Sequence, residues 1–154
     1  MEQPQQKDTW ASGAAYESYV GRWSRLVARE LVARELVAWL TIPQGARWLD
    51  IGCGTGALSQ SILDVASPHE ITGIDPSEGH ITFARQQVRD RRVSFRLGDA
   101  QALPEAPASY DAVVAGLVLN FVPQPSRAVA EMQCMARVGG QLRRTSGTML
   151  ARCN

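Results

Sequence analysis

Residues 48–56 read Trp-Leu-Asp-Ile-Gly-Cys-Gly-Thr-Gly, and this stretch decides how the chain folds. An apolar run stops at Gly52, and Gly54 and Gly56 follow at alternate positions. Apolar residues then recur at helical spacing over residues 57–63. The pattern predicts a buried strand that turns sharply into a helix. Glycine suits this turn because a side chain would keep a ligand from the backbone, so we predict that a nucleotide-like cofactor binds here.

Asp50, separated from Gly52 by one residue, discriminates between two kinds of cofactor. The spacing over residues 52–57 also satisfies the dinucleotide fingerprint, and Asp75 lies where that fingerprint places a ribose-binding acid. A pyrophosphate over the turn would be repelled by the Asp50 carboxylate, whereas the ammonium group of an amino-acid moiety would be attracted. The residues therefore favour a cofactor that contains an amino acid, with a nicotinamide dinucleotide as the alternative.

Strand and helix patterns alternate along most of the chain. Alternation with short connections predicts a mainly parallel sheet with helices on both faces, and ligands bind such sheets at the carboxyl ends of the strands. The predicted strands lie near residues 46–51, 71–75, 93–97 and 110–116, and the predicted helices near residues 21–40, 56–66, 77–90 and 125–137.

Five segments in succession resemble the class I S-adenosylmethionine-dependent methyltransferases of the small-molecule group. They cover roughly residues 46–140 and comprise the turn at 49–56, the second strand at 72–77 (Thr-Gly-Ile-Asp-Pro-Ser), the third-strand segment at 98–104 (Gly-Asp-Ala-Gln-Ala-Leu-Pro), the fourth strand and its loop at 110–121, and the helix and Arg-x-Gly-Gly turn at 132–140. The resemblance implies a Rossmann-like α/β fold and S-adenosylmethionine as the cofactor.

The resemblance also implies a role for each acid of these segments. Asp50 would hold the methionine ammonium, Asp75 would bind the ribose, and Asp99 would border the adenine. Structural alternatives stay open, because Asp50 and Asp75 could each cap the following helix and Asp99 could be an ordinary turn acid. The expected cofactor contacts are Asp50, Gly52, Cys53 (through its backbone), Gly54, Gly56, Asp75, Pro76, Asp99, Ala100 and Leu117.

The acceptor side has fewer signals. Asn120 and Phe121 fall where similar enzymes contact the substrate or the methyl group, and a loop anchor is the alternative. An aromatic N-terminal segment with Tyr19 and Trp23 is expected to fold over this pocket as a lid, or else to act as a packing strap. These four residues form the candidate substrate pocket.

Neither histidine is expected to act as a base. His69 precedes a strand and so lies at the rim opposite the cofactor, and His80 is expected to be exposed on the helix after Asp75. The sequence shows no acid–base dyad and no metal-ligand spacing. We therefore assign no catalytic residue and expect no metal.

Composition describes one ordinary soluble domain. The chain has 154 residues, of which 45% are hydrophobic and 20% charged, with a formal charge of +1 that argues against nucleic acid or anionic membrane as a partner. No apolar run reaches the length of a transmembrane helix. Three cysteines without metal-ligand spacing suit a reducing compartment, so a cytoplasmic location and a small-molecule substrate are expected.

Two segments depart from the family pattern. The pentapeptide Leu-Val-Ala-Arg-Glu at residues 26–30 is repeated at 31–35, which suggests a duplication within the N-terminal helix. The last residues, 141–154, have no β pattern and contain three arginines where a buried fifth strand is expected. We interpret this tail as atypical, with a frameshift as one explanation, and the chain as truncated after the fourth strand and its helix.

The predicted organisation has three parts: an N-terminal segment and cap helix over residues 1–45, the cofactor-binding domain over 46–140 and the tail over 141–154. The expected activity is S-adenosylmethionine-dependent methyl transfer to an unidentified acceptor, impaired by the truncation. An uncovered sheet edge is expected to promote self-association. The alternatives are a nicotinamide-binding Rossmann domain and a non-catalytic, cofactor-binding remnant.

Overall fold

The computed structural model describes residue 26 and residues 42–116, 118–137, 144–145 and 148–150. Its strands are β1 (Arg47–Ile51), β2 (Glu70–Asp75), β3 (Val93–Leu97), β4 (Ala112–Gly116), β5 (Arg144–Thr145) and β6 (Thr148–Leu150). Its helices are α1 (Ala57–Ala66), α2 (Glu78–Gln87) and α3 (Pro125–Met135), with a 3-10 helix at Leu119–Phe121. Leu26 is helical, and the rest of the helix predicted over 21–40 lies outside the described residues.

The six strands form one sheet in the order β3-β2-β1-β4-β6-β5. The strands β3, β2, β1 and β4 are parallel, so their carboxyl ends share one rim. The chain steps outward from β1 to β3 and then returns to the other side of β1 for β4. The strand order therefore reverses between β1 and β4, which is where open α/β sheets bind ligands. This confirms the predicted Rossmann-like α/β fold.

The core has two layers because successive side chains of a strand point to opposite faces of the sheet. One layer joins the sheet to α1 and α2 and includes Trp48, Ile62, Ile71, Ile81, Ala84 and Val114. The other joins the sheet to α3 and includes Leu49, Ile51, Ile74, Val113, Ala128 and Met132. Asp50 is buried in β1, and its two neighbours in the strand, Leu49 and Ile51, are buried as well.

The tail differs from its prediction. Residues 141–154 were expected to contain no strand, yet β5 and β6 pair with each other and β6 pairs antiparallel with β4. The register joins Val114 to Leu150 and Gly116 to Thr148. Short strands such as β5 and β6 are held by backbone hydrogen bonds, which require no alternation of apolar side chains. The expectation that the edge of β4 stays uncovered is therefore wrong over these residues.

Candidate cofactor-binding site

The glycine turn after β1 is held against the end of β2. The amides of Gly52 and Cys53 both donate to the carbonyl of Ile74, at 2.7 and 3.1 Å. Gly52, Gly54 and Gly56 have φ values of +66°, +52° and +87°, in the left-handed region where other residues are strained. The sequence therefore uses glycine at all three positions for the backbone conformation itself.

Space around the three glycines differs, and only one of them is open. A side chain on Gly52 would collide with Val118, and one on Gly56 would lie 3.0 Å from Val88 and 3.1 Å from Phe95. At Gly54, no atom of the described residues lies within 4 Å of the place a side chain would fill. Gly54 is thus where a ligand can contact bare backbone, whereas Gly56 allows α1 to pack closely against the sheet.

Asp50 is a buried carboxylate with one satisfied oxygen. Asp50 is only 1% exposed. Its Oδ2 accepts a hydrogen bond of 2.7 Å from the hydroxyl of Ser59, in the first turn of α1. Oδ1 is buried and has no hydrogen-bond partner among the described residues. Asp50 therefore ties β1 to a side chain of α1 and is not the cap of that helix, which begins after Gly56 without a side-chain cap, and the other oxygen of Asp50 remains without a partner among the described residues.

Burial, together with the nearby charge of Asp75 and against the lowering effect of Ser59, raises the pKa of Asp50 from 3.8 to about 7. A buried carboxylate oxygen without a donor is costly unless a cation or donor reaches it. The site thus suits a positively charged ligand group, which would restore the ionised form. An ammonium group meets that requirement.

Asp75 at the end of β2 connects the glycine turn to α2. Its Oδ2 accepts from the amide of Gly54 at 2.9 Å, and its Oδ1 accepts from the amide of Ser77 at 2.9 Å. The cap of α2 is Ser77, whose hydroxyl accepts from the amide of His80 at 3.3 Å. Asp75 therefore fixes the turn and the cap together and is not itself the helix cap.

His80 is not solvent-exposed as predicted. Its side chain is 16% exposed, and its Nδ1 lies 3.2 Å from Oδ1 of Asp75. The physical reason is the cap at Ser77, which turns the first residues of α2 back over the strand-terminal acid. A histidine in the first turn of a helix that follows such an acid was the signal available in the sequence. His69 is exposed and precedes β2, at the opposite rim as predicted.

The segment after β3 reaches the same rim. The amide of Gly98 donates to the carbonyl of Asp75 at 3.1 Å, which places the segment beside the end of β2. Asp99 is exposed and accepts from the Gln101 amide at 2.9 Å, and this bond holds the pKa of Asp99 below its usual value. Asp99 thus has the geometry of a turn acid, while Ala100 beside it is buried. Pro76, directly after Asp75, is exposed.

The acceptor side begins where β4 ends. The 3-10 helix Leu119–Phe121 follows β4 at the carboxyl rim, and Val118 packs against the glycine turn at Gly52. Asn120 is exposed, and Phe121 is 84% exposed. The remaining predicted site residues, Leu117, Tyr19 and Trp23, lie outside the described residues.

No group of three potential metal ligands occurs within the described part of the chain. The described helices include none with the length and apolarity that a membrane crossing requires. Since the imidazole that contacts Asp75, that of His80, lies on the β2 side of the rim, the geometry of the described residues supports binding of a cofactor more directly than it identifies a proton acceptor.

Comparison with known proteins gives a consistent result. A family model described as "Methyltransferase domain" matches residues 49–143. The chain is 35% identical over 121 residues to the demethylmenaquinone methyltransferase of Renibacterium salmoninarum, which covers 79% of this chain and 46% of the relative. The chain therefore spans about half the length of the curated relatives it matches.

Solved structures share the fold. An S-adenosylmethionine-dependent methyltransferase from Mesorhizobium loti is 26% identical, with a TM-score of 0.64 over 75% of this chain and 52% of that chain. The [4+2]-cyclase SpnF is 28% identical, with a TM-score of 0.65 over 80% of this chain and 47% of that chain. The same architecture is thus described with two activities, so the fold alone does not determine the reaction.

Proposed function

Because the chain belongs to the class I S-adenosylmethionine-dependent methyltransferase family, we propose that it binds S-adenosylmethionine over the glycine turn and supports methyl transfer to a small-molecule acceptor. The observation that carries this proposal is the combination of open backbone at Gly54 with the unpartnered, buried Oδ1 of Asp50. Open backbone accommodates a ligand, and the buried oxygen favours a ligand group that donates a hydrogen bond, above all a cationic one.

The charges of the site favour this cofactor over a dinucleotide. Asp50 and Asp75 lie close enough for the charge of Asp75 to raise the pKa of Asp50. A pyrophosphate at the turn would meet both carboxylates without a compensating cation among the contacts that the structure describes, whereas an amino-acid ammonium would relieve their repulsion. In the proposal Asp50 binds that ammonium, and Asp75 accepts from a ribose hydroxyl.

When bound, the cofactor supplies an electrophilic methyl group on a sulfonium. Transfer is an in-line displacement, so the main task of the protein is to position the acceptor and to exclude water. The glycine turn would fix one reactant, and the rim after β4 would contact the other. We assign no general base, and we propose that the acceptor atom is already nucleophilic or loses its proton to solvent.

The proposed acceptor is an apolar ring compound of the kind that a demethylated quinone represents. Two observations support this class. Phe121 presents an almost fully exposed aromatic ring beside the polar amide of Asn120, and such a pair suits a flat apolar ring with a polar substituent. One relative is described as a demethylmenaquinone methyltransferase.

We further propose that residues 46–140 form the cofactor-binding domain and that the protein is located in the cytoplasm. Both proposals rest on the motifs and the composition of the sequence.

Calorimetry with S-adenosylhomocysteine and with NAD tests the cofactor. The proposal predicts binding heat with the first and none with the second, and heat with NAD alone would contradict it. Transfer of a labelled methyl group from S-adenosylmethionine to a demethylated naphthoquinol then tests the reaction. Labelled product in excess of a protein-free control supports the acceptor class.

A second candidate function is cofactor binding without methyl transfer. Similarity to a structure described as a [4+2]-cyclase favours this second function, because that protein shares the fold and is named for a cyclisation, which is not a methyl transfer. The calorimetric and methyl-transfer results separate the two functions. Binding of S-adenosylhomocysteine without labelled product from apolar or polar acceptors would support this second function.

A further inference from the structure

The carboxylate of Asp75 is held by three donors that come from three places in the chain. The Gly54 amide binds Oδ2, the Ser77 amide binds Oδ1, and His80 Nδ1 lies 3.2 Å from Oδ1. A carboxylate oxygen has two good acceptor positions. Within the described residues, both positions of Oδ1 are therefore used, while Oδ2 has one left beside the glycine turn.

The third donor is placed by the start of α2. The backbone amide of His80 donates to the Ser77 hydroxyl, so the residue is anchored within the cap, and its ring is largely shielded from solvent. The other two donors are backbone amides, which any sequence with this fold would present, whereas the imidazole is specific to histidine at position 80.

We propose that His80 is a positioning residue for the cofactor ribose. By donating from Nδ1 to Oδ1, it holds the carboxylate of Asp75 in the orientation that leaves the free acceptor position on Oδ2, next to Gly54. The inference rests on the proposed function, because it requires a ribose hydroxyl as the ligand of Asp75. It assigns a role to a histidine that the sequence had suggested was merely exposed.

Affinity for S-adenosylhomocysteine, measured by calorimetry, tests the proposal in four proteins: the wild type and the variants His80→Leu, His80→Asn and His69→Leu. His80→Leu removes the donor and is expected to raise the Kd about tenfold. His80→Asn keeps a donor nitrogen near the position of Nδ1 and is expected to stay within about threefold of the wild type. His69→Leu, the matched control on the opposite rim, is expected to leave the Kd unchanged.

An analogue of S-adenosylhomocysteine without the ribose 2′- and 3′-hydroxyls separates positioning from a general structural role. The wild type is expected to lose affinity for this analogue, whereas His80→Leu, which has already lost the ordered acceptor, is expected to lose less. Equal weakening of both ligands by His80→Leu would overturn the proposal, as would a Kd equal to that of His69→Leu. If His80→Leu does not fold, failure of His80→Asn to retain affinity overturns it.

The proposed function and this inference fail in different measurements. A wild-type protein that does not bind S-adenosylhomocysteine overturns both. A wild type that binds while His80→Leu is indistinguishable from the His69 control overturns the role of His80 alone.

Discussion

The two sides of the carboxyl rim are built differently. On the side of β1 and β2, Asp50 and Asp75 are buried and bound to Ser59, Gly54 and Ser77. On the side after β4, Asn120 and Phe121 are exposed on a 3-10 helix of three residues. The cofactor side is thus fixed by its own hydrogen bonds, whereas the acceptor side presents a surface that a ligand or another segment can cover.

The comparison of the two sides shows which part of the site the fold itself determines. The conformation of the glycine turn, the register of β1 with β2 and the cap of α2 all converge on Asp50 and Asp75. A change at any of them should alter cofactor affinity. The rim after β4 has no such network among the described residues, and a change there should alter the acceptor reaction alone.

Blocking the open glycine should have the largest effect. Gly54→Arg places a side chain in the space over the turn, so no binding of S-adenosylhomocysteine is expected by calorimetry. Gly45→Arg is the matched control, because Gly45 also has a left-handed φ and no atom of the described residues near the place of its side chain, but precedes β1 at the other rim. Both variants should lose similar stability. Equal affinities in the two variants would contradict the placement of the ligand.

Neutralising the buried acid should be the next largest effect. Asp50→Asn removes the charge that attracts the ammonium, and the Kd for S-adenosylhomocysteine is expected to rise roughly 100-fold. The same substitution should raise the melting temperature of the ligand-free protein. A pKa displaced from 3.8 to about 7 corresponds to a penalty on the order of 4 kcal/mol for the ionised group in the folded, ligand-free chain.

The direction in which stability changes with pH follows from the raised pKa of Asp50. The folded chain binds the proton more tightly than the unfolded chain, so stability is present at low pH, is lost as the pH rises from about 4 to about 7, and stays low above that. Asp50→Asn removes this loss, at the expense of a buried amide group. We expect its melting temperature at pH 8 to exceed that of the ligand-free wild type by about 5 °C. A lower value would show that Asp50 stabilises the empty fold.

Cofactor affinity should depend on pH through the same group. Only ionised Asp50 attracts an ammonium, so the Kd should be level above pH 7 and rise by up to about tenfold per pH unit below it. Cys53 does not interfere, since burial raises the pKa of its thiol well above 9.0. His80→Asn should keep this dependence, which separates Asp50 from the nearby imidazole. A level Kd down to about pH 5.5 would contradict the assignment.

Truncating the exposed ring should have the smallest effect and should be confined to the acceptor. Phe121→Ala is expected to lower kcat/KM for an apolar ring acceptor about fivefold by removing apolar contact, with an unchanged Kd for S-adenosylhomocysteine. Val65→Ala is the control, because Val65 is an exposed apolar residue of α1. A change in cofactor affinity in Phe121→Ala would remove the distinction between the two sides of the rim.

The parallel strands of the fold were predictable because their signals are local. The predicted strand at 93–97 is β3 (Val93–Leu97), and the turn at residues 52–56 was identified from its glycines. The strand predicted at 110–116 begins later, at Ala112, because the side chain of Asp111 accepts from the Arg47 amide at 2.8 Å. Helix α2 ends earlier than predicted because Val88 turns into the core in an extended conformation.

Contacts between distant segments could not be predicted from the sequence. The pairing of β6 with β4 depends on backbone groups, so the polar composition of the tail gave no signal for it. The burial of His80 depends on how the Ser77 cap directs the chain. The packing of Gly56 against Phe95 requires the register that places Phe95 beside Gly73. The acids Asp50 and Asp75 were predicted as ligands, and their assignment to a bound cofactor stays a prediction.

A crystal structure with S-adenosylhomocysteine tests the central claim most directly. We expect electron density for the ligand over Gly54, with its amino group at Oδ1 of Asp50 and a ribose hydroxyl at Oδ2 of Asp75. Density for the ligand elsewhere, or an ordered glycine turn with no ligand above it at saturating concentration, would contradict the account.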